Sequence, residues 1–463
     1  MKMPVIFAGL LACLILSTTA SAQVYRSDSG LGSALILPYW TVANGNDTVF
    51  SVRNESEQAV AVKVRLLDEQ GGLVESFNLY LDAYSIWAAG IGWVDDQILL
   101  APLEAGCMLP APSASHMGRP VLPLAAPRGS IEIIEMASAS EESDLVVEHI
   151  FAGWADCAEL AEAFESGVWS VDLNAGLVAP THQLSASASL INVAAGGINT
   201  VPATALGGFS DIAQHSAPES ALPDLAQAFD AGAEQGGVRS LVCASGECRV
   251  DEWTLPIEAV AAALMVSTQS MEYSVEPSLA AEFEWIIHRP LKRYEDEVDG
   301  FAVGDSSMLF GVWARSGEYF LPVPCFGDFG GVPPLLGPEC RMPPALVLQS
   351  LPFNSVYESL DLVVDSSILG HPAVIRHNFA LGGDDVDVQF LEGTARLYFG
   401  DPNQWLTAAD GTGFLGQPVI SFGVQQYSNG FLTDDQGQNV LSNYRRTERP
   451  RHILLILPVD GWD

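Results

Sequence analysis

The chain has almost no lysine. Lys2, Lys63 and Lys292 are the only three in 463 residues, and lysine plus arginine total 20 against 57 aspartates and glutamates, a formal net charge of −37. A nucleic acid needs a basic surface against its phosphates, so this balance argues against such a partner and against unaided adsorption to anionic lipid. Beyond the first two dozen residues no segment reaches the ~20 uninterrupted apolar residues of a spanning helix, so no transmembrane segment is expected in the mature chain. The C-x-x-C spacing of redox and zinc sites is missing, as are the Walker loop, the dinucleotide fingerprint and H-E-x-x-H. Gly208-Phe209-Ser210 and Gly304-Asp305-Ser306 each begin the G-x-S-x-G elbow of serine hydrolases and neither completes it.

What is present first is a leader. Met1-Lys2-Met3-Pro4 precedes an apolar run from Val5 to Leu16, and Ala20-Ser21-Ala22 supplies a small-x-small cleavage site, so residues 1–22 are expected to be a signal peptide and the mature chain to begin at Gln23. Leu10-Leu11-Ala12-Cys13 is a rival lipobox, weakened by the apolar residues that continue past Cys13. Cys107, Cys157, Cys243, Cys248, Cys325 and Cys340 then remain, an even number in an exported chain, which points to disulfides. Pairing of neighbours is expected, Cys107 with Cys157, Cys243 with Cys248 and Cys325 with Cys340, because each pair borders or closes a Pro- or Gly-rich loop. The destination is extracellular or the cell surface, with the periplasm as the other candidate. Scarce lysine and abundant acid also suit a protein in salty water, where screening shortens self-repulsion.

Val60, Val62, Val64 and Leu66 alternate with Ala61, Lys63, Arg65 and Leu67, the period of a strand with one buried and one wet face. Asp68-Glu69-Gln70-Gly71-Gly72 makes a turn, and Phe77, Leu79 and Leu81 resume the alternation. Thr48–Arg53 and Tyr84–Trp87 add two strands, giving one antiparallel sheet. Six prolines between Leu100 and Gly129 predict an excursion away from the sheet. Strands follow at Ser130–Glu135, Ser185–Val193, Ile198–Ala203 and Ile453–Val459, with short helices at 157–164 and around 257–265. The resulting fold class is mainly β: two immunoglobulin-like antiparallel β-sandwich lobes, residues 23–240 and 241–463, with long Pro/Gly-rich loops.

Several phrases, LILPYWTVANGNDTVFSVRN, GSIEIIEM, SASLINVAAGGINTVPATALGGFSD, EWIIHRPLKRY, PVISFGVQQYSNG and SNYRR, resemble in order and spacing a family of uncharacterised secreted or cell-surface proteins of proteobacteria. The chain departs from that pattern at His288-Arg289-Pro290-Leu291. The resemblance implies an extracytoplasmic address and brings no catalytic residues with it.

Candidate chemistry is sparse. Glu132 and Glu135 have the residue types of a glycosidase pair, but their odd separation on a strand sends them to opposite faces. His371 and His377 share a strand face as potential metal ligands, with ordinary surface histidines the simpler reading. Asp384, Asp385 and Asp387, and the pair Asp434 and Asp435, offer hard oxygens that suit calcium, although neither stretch follows an EF-hand or a nonapeptide pattern; calcium is the only cofactor considered. Two basic clusters stand out in so acidic a chain: Arg289, Lys292 and Arg293, then Arg445, Arg446, Arg449 and Arg451 with His452. Arginine forks grip carboxylates and phosphates, so an acidic polysaccharide, a lipopolysaccharide phosphate or an acidic protein patch is a candidate partner; the plainer alternative is internal pairing with the surplus acid. The leading expectation is a non-enzymatic β-protein with a structural, adhesive or binding role toward an extracellular protein or glycan. A secreted hydrolase of polysaccharide or peptide is the alternative, and a subunit assembled by strand addition through Ile453–Val459 is a third.

Overall fold

Alternating valines build the strand Val60–Asp68, whose Val60, Val62, Val64 and Leu66 are fully buried in the largest core. It pairs with Leu73–Leu81 in the register Val60 to Leu81, Val62 to Leu79 and Val64 to Phe77. The turn between them holds because the Asp68 carboxylate accepts from the Gln70 and Gly72 amides while Gly71 takes a φ of 85°. These elements belong to a computed structural model describing residues 23–103, 106–148, 152–233, 237–297, 308–315, 317, 319–320, 346–351, 366, 368–370, 374–376, 391–399, 405–433, 436–437 and 439–458. The expected leader lies outside them, as do Cys325 and Cys340.

The first half is two facing antiparallel sheets, and the four strands between Thr48 and Trp87, expected in one sheet, are divided between them. An eight-stranded sheet runs in the order Tyr25–Arg26, Thr204–Gly207, Ala34–Thr41, Arg128–Ala139, Val60–Asp68, Leu73–Leu81 and Cys107–Leu109, with Leu177–Val178 also pairing Arg128–Ala139. Asp47–Asn54 and Ile86–Val94 pair with each other in a second, seven-stranded sheet. Phe50, Val52, Trp87 and Ile91 from that sheet meet Val62, Val64, Phe77 and Ile133 from the first. The Pro-rich stretch is also corrected: Arg119–Leu124 and Ala114–His116 end the second sheet and Cys107–Leu109 ends the first. Proline is tolerated at such edges because its missing N–H costs little there.

The expected wet face is a second correction. Ala61, Lys63, Arg65 and Leu67 are all buried, because the eight-stranded sheet is covered on its outer side as well. At one end the helix Cys157–Glu165 brings Leu160 and Ala163, with Trp154 and Trp169, onto Ala61, Tyr80 and Met136. Asp156 caps this helix by accepting from the Ala158 amide, and the amides of Ser166 and Gly167 both return to Glu162 at its end. At the other end Phe209, Leu225, Trp253 and the helix Pro256–Leu264 pack on Ala34, Ile36 and Ile134. That helix begins with proline, and the Glu258 carboxylate accepts from the Leu255 amide.

Two five-stranded sheets form the second half. One contains Met308–Ala314, Glu392–Phe399, Thr268–Ser274 and Arg451–Ile453; the other contains Leu346–Leu351, Ala281–His288, Ile420–Thr433 and Asn439–Glu448. Met271, Phe283, Trp285 and Leu397 fill the space between them. Sheet membership thus changes between Gly207 and Met265, whereas residue 240 lies inside the strand Val238–Ala244, hydrogen-bonded on both sides to Val24. A cut there would divide a strand. The last expected strand is also broken: Arg451–Ile453 pairs with Thr268–Ser270, and Leu455–Pro458 pairs with Thr412–Leu415 in another sheet.

Cys107 bonds to Cys157 at 2.11 Å and Cys243 to Cys248 at 1.99 Å, the latter facing each other across a hairpin. Such bonds suit an oxidising, exported environment. Among the described residues no helix is long and apolar enough to cross a membrane.

Candidate functional site

The two basic clusters have opposite fates. Arg289, Lys292 and Arg293 follow the buried strand Ala281–His288, so the chain turns them back over the outer face of the eight-stranded sheet. Arg293 reaches Glu132 at 3.2 Å and Asp224 at 3.6 Å, and its guanidinium lies 4.5 Å from the centre of the Tyr294 ring. Arg65 binds the same Glu132 oxygen and stands 4.0 Å from Asp224. Two guanidiniums and two carboxylates balance there, with Glu132 wholly buried and Arg65 4 % exposed. Beside them Lys63 donates to the carbonyls of Ala217 and Ser220, and burial followed by the Arg65 charge pulls its ammonium down to about 7. His288 is pulled down to about 3 by burial and by Arg293, so it is a neutral imidazole at pH 7. Arg289 is buried and Lys292 half-buried. Within this cluster Arg293 is paired internally, with Glu132 and Asp224.

The second cluster divides along its length. Arg445 gives its Nε to Gln426 and Arg446 pairs with Glu448 at 2.7 Å. Arg449 and Arg451 are exposed and make no ion pair among the described residues; the chain leaves the edge strand Asn439–Glu448 at Glu448 and re-enters the neighbouring sheet at Arg451. The two arginines line a cleft of about 330 Å³ with Ser270, Thr394, Met271, Glu272 and Glu448. Arg26 approaches from the N-terminal strand: burial, then the neighbouring Arg449, hold its guanidinium below its ordinary pKa. His452 lies within electrostatic reach of Arg26. Like charges brought together in a chain of net charge −37 raise the local attraction for an anion. Guanidinium forks and two hydroxyls make a surface suited to carboxylate or sulfate oxygens.

Glu132 and Glu135 occupy opposite faces, as their spacing requires. Glu132 joins the arginines outside, while Glu135 accepts from the Thr181 amide and hydroxyl and from the His182 amide, burial pushing its carboxyl up to about 7. Asp384, Asp385, Asp387, Asp434, Asp435, His371 and His377 lie outside the described residues. Among the described residues no group of three or more His, Cys, Asp or Glu is gathered as a metal site. Sequence reasoning missed Arg65, Lys63 and Arg26 as partners of these clusters. Lys63 carried the one available signal, a rare lysine on a strand otherwise rich in valine. Compared with known proteins, the chain matches no family model and no curated relative.

Proposed function

We propose that the chain is an exported, non-enzymatic β-protein, with lobes of immunoglobulin-like type, that binds an acidic extracellular polysaccharide through the cleft at Arg449 and Arg451. The observation carrying this reading is the contrast within the second cluster: Arg445 and Arg446 find internal partners, while Arg449 and Arg451 remain exposed beside Ser270 and Thr394. Titration of residues 23–463 with sulfated or uronic-acid oligosaccharides should give binding that weakens with salt, and Arg449→Ala with Arg451→Ala should lower affinity at least about tenfold, since charge-assisted bonds are worth about 1.5–3 kcal/mol each. Equal binding by the double variant, or equal binding of neutral glycans, removes the reading.

A second reading has its own observation. Glu272 and Glu448 share this cleft, and burial, opposed by Arg446 and reinforced by Glu272, holds the Glu448 carboxyl above its ordinary range. A pair of carboxyl groups, one of them held above its ordinary range, is the arrangement by which glycosidases protonate a leaving oxygen and activate water. Reducing-end release from the bound polysaccharide, lost in Glu448→Gln and Glu272→Gln, would favour hydrolysis; binding without release favours the first reading.

A further inference from the structure

One face of the seven-stranded sheet fills the core and the other does not. Phe50, Val52, Trp87 and Ile91 turn inward, while the opposite face of Gly197–Pro202, Leu184–Asn192, Asp47–Asn54, Ile86–Val94 and Gln97–Pro102 turns outward. Ile198, Ile86 and, just past the last of these strands, Leu103 are 58, 45 and 50 % exposed there. Over the middle the surface is open: a Cβ built on Gly90 would meet nothing nearer than the Leu103 side chain at 4.0 Å. In a chain with 57 Asp and Glu, the outward positions of these five strands carry one carboxylate, Asp47, and one guanidinium, Arg53. Both stand on the central strand Asp47–Asn54, towards its two ends, about 20 Å apart at ~3.4 Å per residue. Asp47 is exposed and makes no ion pair among the described residues, and Arg53, its side chain 52 % exposed, has Glu55 at 3.6 Å.

We propose that this face binds a second copy of the chain, strand over antiparallel strand, about a two-fold axis that lies in the interface and crosses the Asp47–Asn54 strand at Phe50. Such an axis makes the contact isologous, so that residue i meets j and j meets i. Asp47 then lies over Arg53 of the partner subunit, and Arg53 over the partner subunit's Asp47, two ion pairs made from the two charges of the face. The register carries the match to the neighbouring strands. Ala88 pairs with Ser51 and Gly90 with Val49, so Ala88 comes over the partner's Gly90. The Leu103 amide donates to the Ala88 carbonyl at 2.8 Å and Ala101 pairs with Gly90, so Leu103 comes over the partner's Ala101, a long apolar side chain against a short one. Five strands at ~4.8 Å spacing and seven residues at ~3.4 Å give each copy a footprint of about 24 by 24 Å, about 570 Å². Two such footprints bury about 1,100 Å², above the ~1,000 Å² that a specific interface needs and at the lower end of its range. Two chains of net charge −37 repel, so a face with a single carboxylate is where their approach costs little.

Sedimentation velocity of residues 23–463 from about 1 μM to about 500 μM, at about 0.15 M salt, tests this. A dimer should form within that range, since an interface of about 1,100 Å² suits a weak association. Arg53→Glu sets carboxylates opposite each other at both ends of the interface and should weaken the dimer at least about tenfold. Adding Asp47→Arg to it restores both pairs with their signs exchanged, and should bring the dissociation constant back to within about threefold of the unaltered chain. Ser51→Glu places a carboxylate beside the axis, close to its own copy on the partner subunit, and should leave a monomer. All three positions face outward; thermal unfolding shows which variants are folded, and the folded ones decide. An unaltered chain that is monomeric throughout, a dimer kept unchanged in Arg53→Glu or in Ser51→Glu, or a double variant no tighter than Arg53→Glu each overturns the proposal.

Discussion

Replacing Glu132 with glutamine tests what holds the outer face of the eight-stranded sheet. Its carboxylate is the shared acceptor of Arg65 and Arg293, and without its charge the buried Arg65 and half-buried Arg293 keep Asp224, at 4.0 and 3.6 Å, as their carboxylate among the described residues. At 3.2 Å and an effective dielectric constant of about 20, the Arg293 contact alone amounts to about 5 kcal/mol of gross attraction. Stripping one partner from a buried ion pair costs about 3–5 kcal/mol, because the charge left behind stays desolvated. Urea unfolding at neutral pH should show a midpoint shift of that size with an unchanged m value. The companion variant Arg65→Met, Glu132→Leu, Arg293→Met removes the buried charges together and should recover most of the loss, since apolar replacement of a complete cluster is close to neutral. A loss below about 1 kcal/mol in Glu132→Gln, or a triple variant less stable than the single one, would refute the reasoning.

Val62→Asp should unfold the first half, losing several kcal/mol by placing an ionised group between the facing sheets; unchanged thermal unfolding would invert the face assignment. Loss of the Cys107–Cys157 bond, which closes 50 residues, should cost about 4 kcal/mol, and loss of the Cys243–Cys248 bond, which closes 5, about 2 kcal/mol. Non-reducing peptide mapping with chemical denaturation checks both. Lys63 has a folded pKa below its unfolded one, so between about 7 and 10.5 the unfolded chain binds more protons and stability rises with pH through that window. Lys63→Met should flatten that rise, measured as denaturation midpoints from neutral to alkaline pH. Unaltered pH dependence would mean that the ammonium is hydrated.

Elements with a strong local period are legible in the residues alone. The hairpin of Val60–Asp68 with Leu73–Leu81, the hairpin of Leu184–Asn192 with Gly197–Pro202, and both helices fall within a few residues of their expected places. The two described disulfides join the neighbours expected. Illegible is everything decided across the chain. Lys63 and Arg65 read as solvent-facing because charge on alternate positions usually is; they are buried by residues 215–224 and 293–294, which no local pattern connects to them. The same limit hides the division of four neighbouring strands between two sheets, since alternation reports a buried face but never its partner. For the basic clusters the sequence offers both fates, internal pairing and an open surface. Distances to Glu132 and Glu448 are what tell Arg293 and Arg446 from Arg449 and Arg451.

Because Ile286, Ile368, Leu369, Phe422 and Val424 complete the core built by residues 35–205, the first half emerges during synthesis lacking part of its own interior. The bond from Tyr39 to Leu369 spans 330 positions, so closing it fixes a very long loop late in the chain's production. A fragment ending after the strand Thr204–Gly207 would contain both sheets and still expose a wet hole where the later segments belong. The two halves should consequently melt as one cooperative unit. Any attempt to produce the first half alone must restore residues 281–288, 368–370 and 420–424 by co-expression or replace their apolar side chains with new ones.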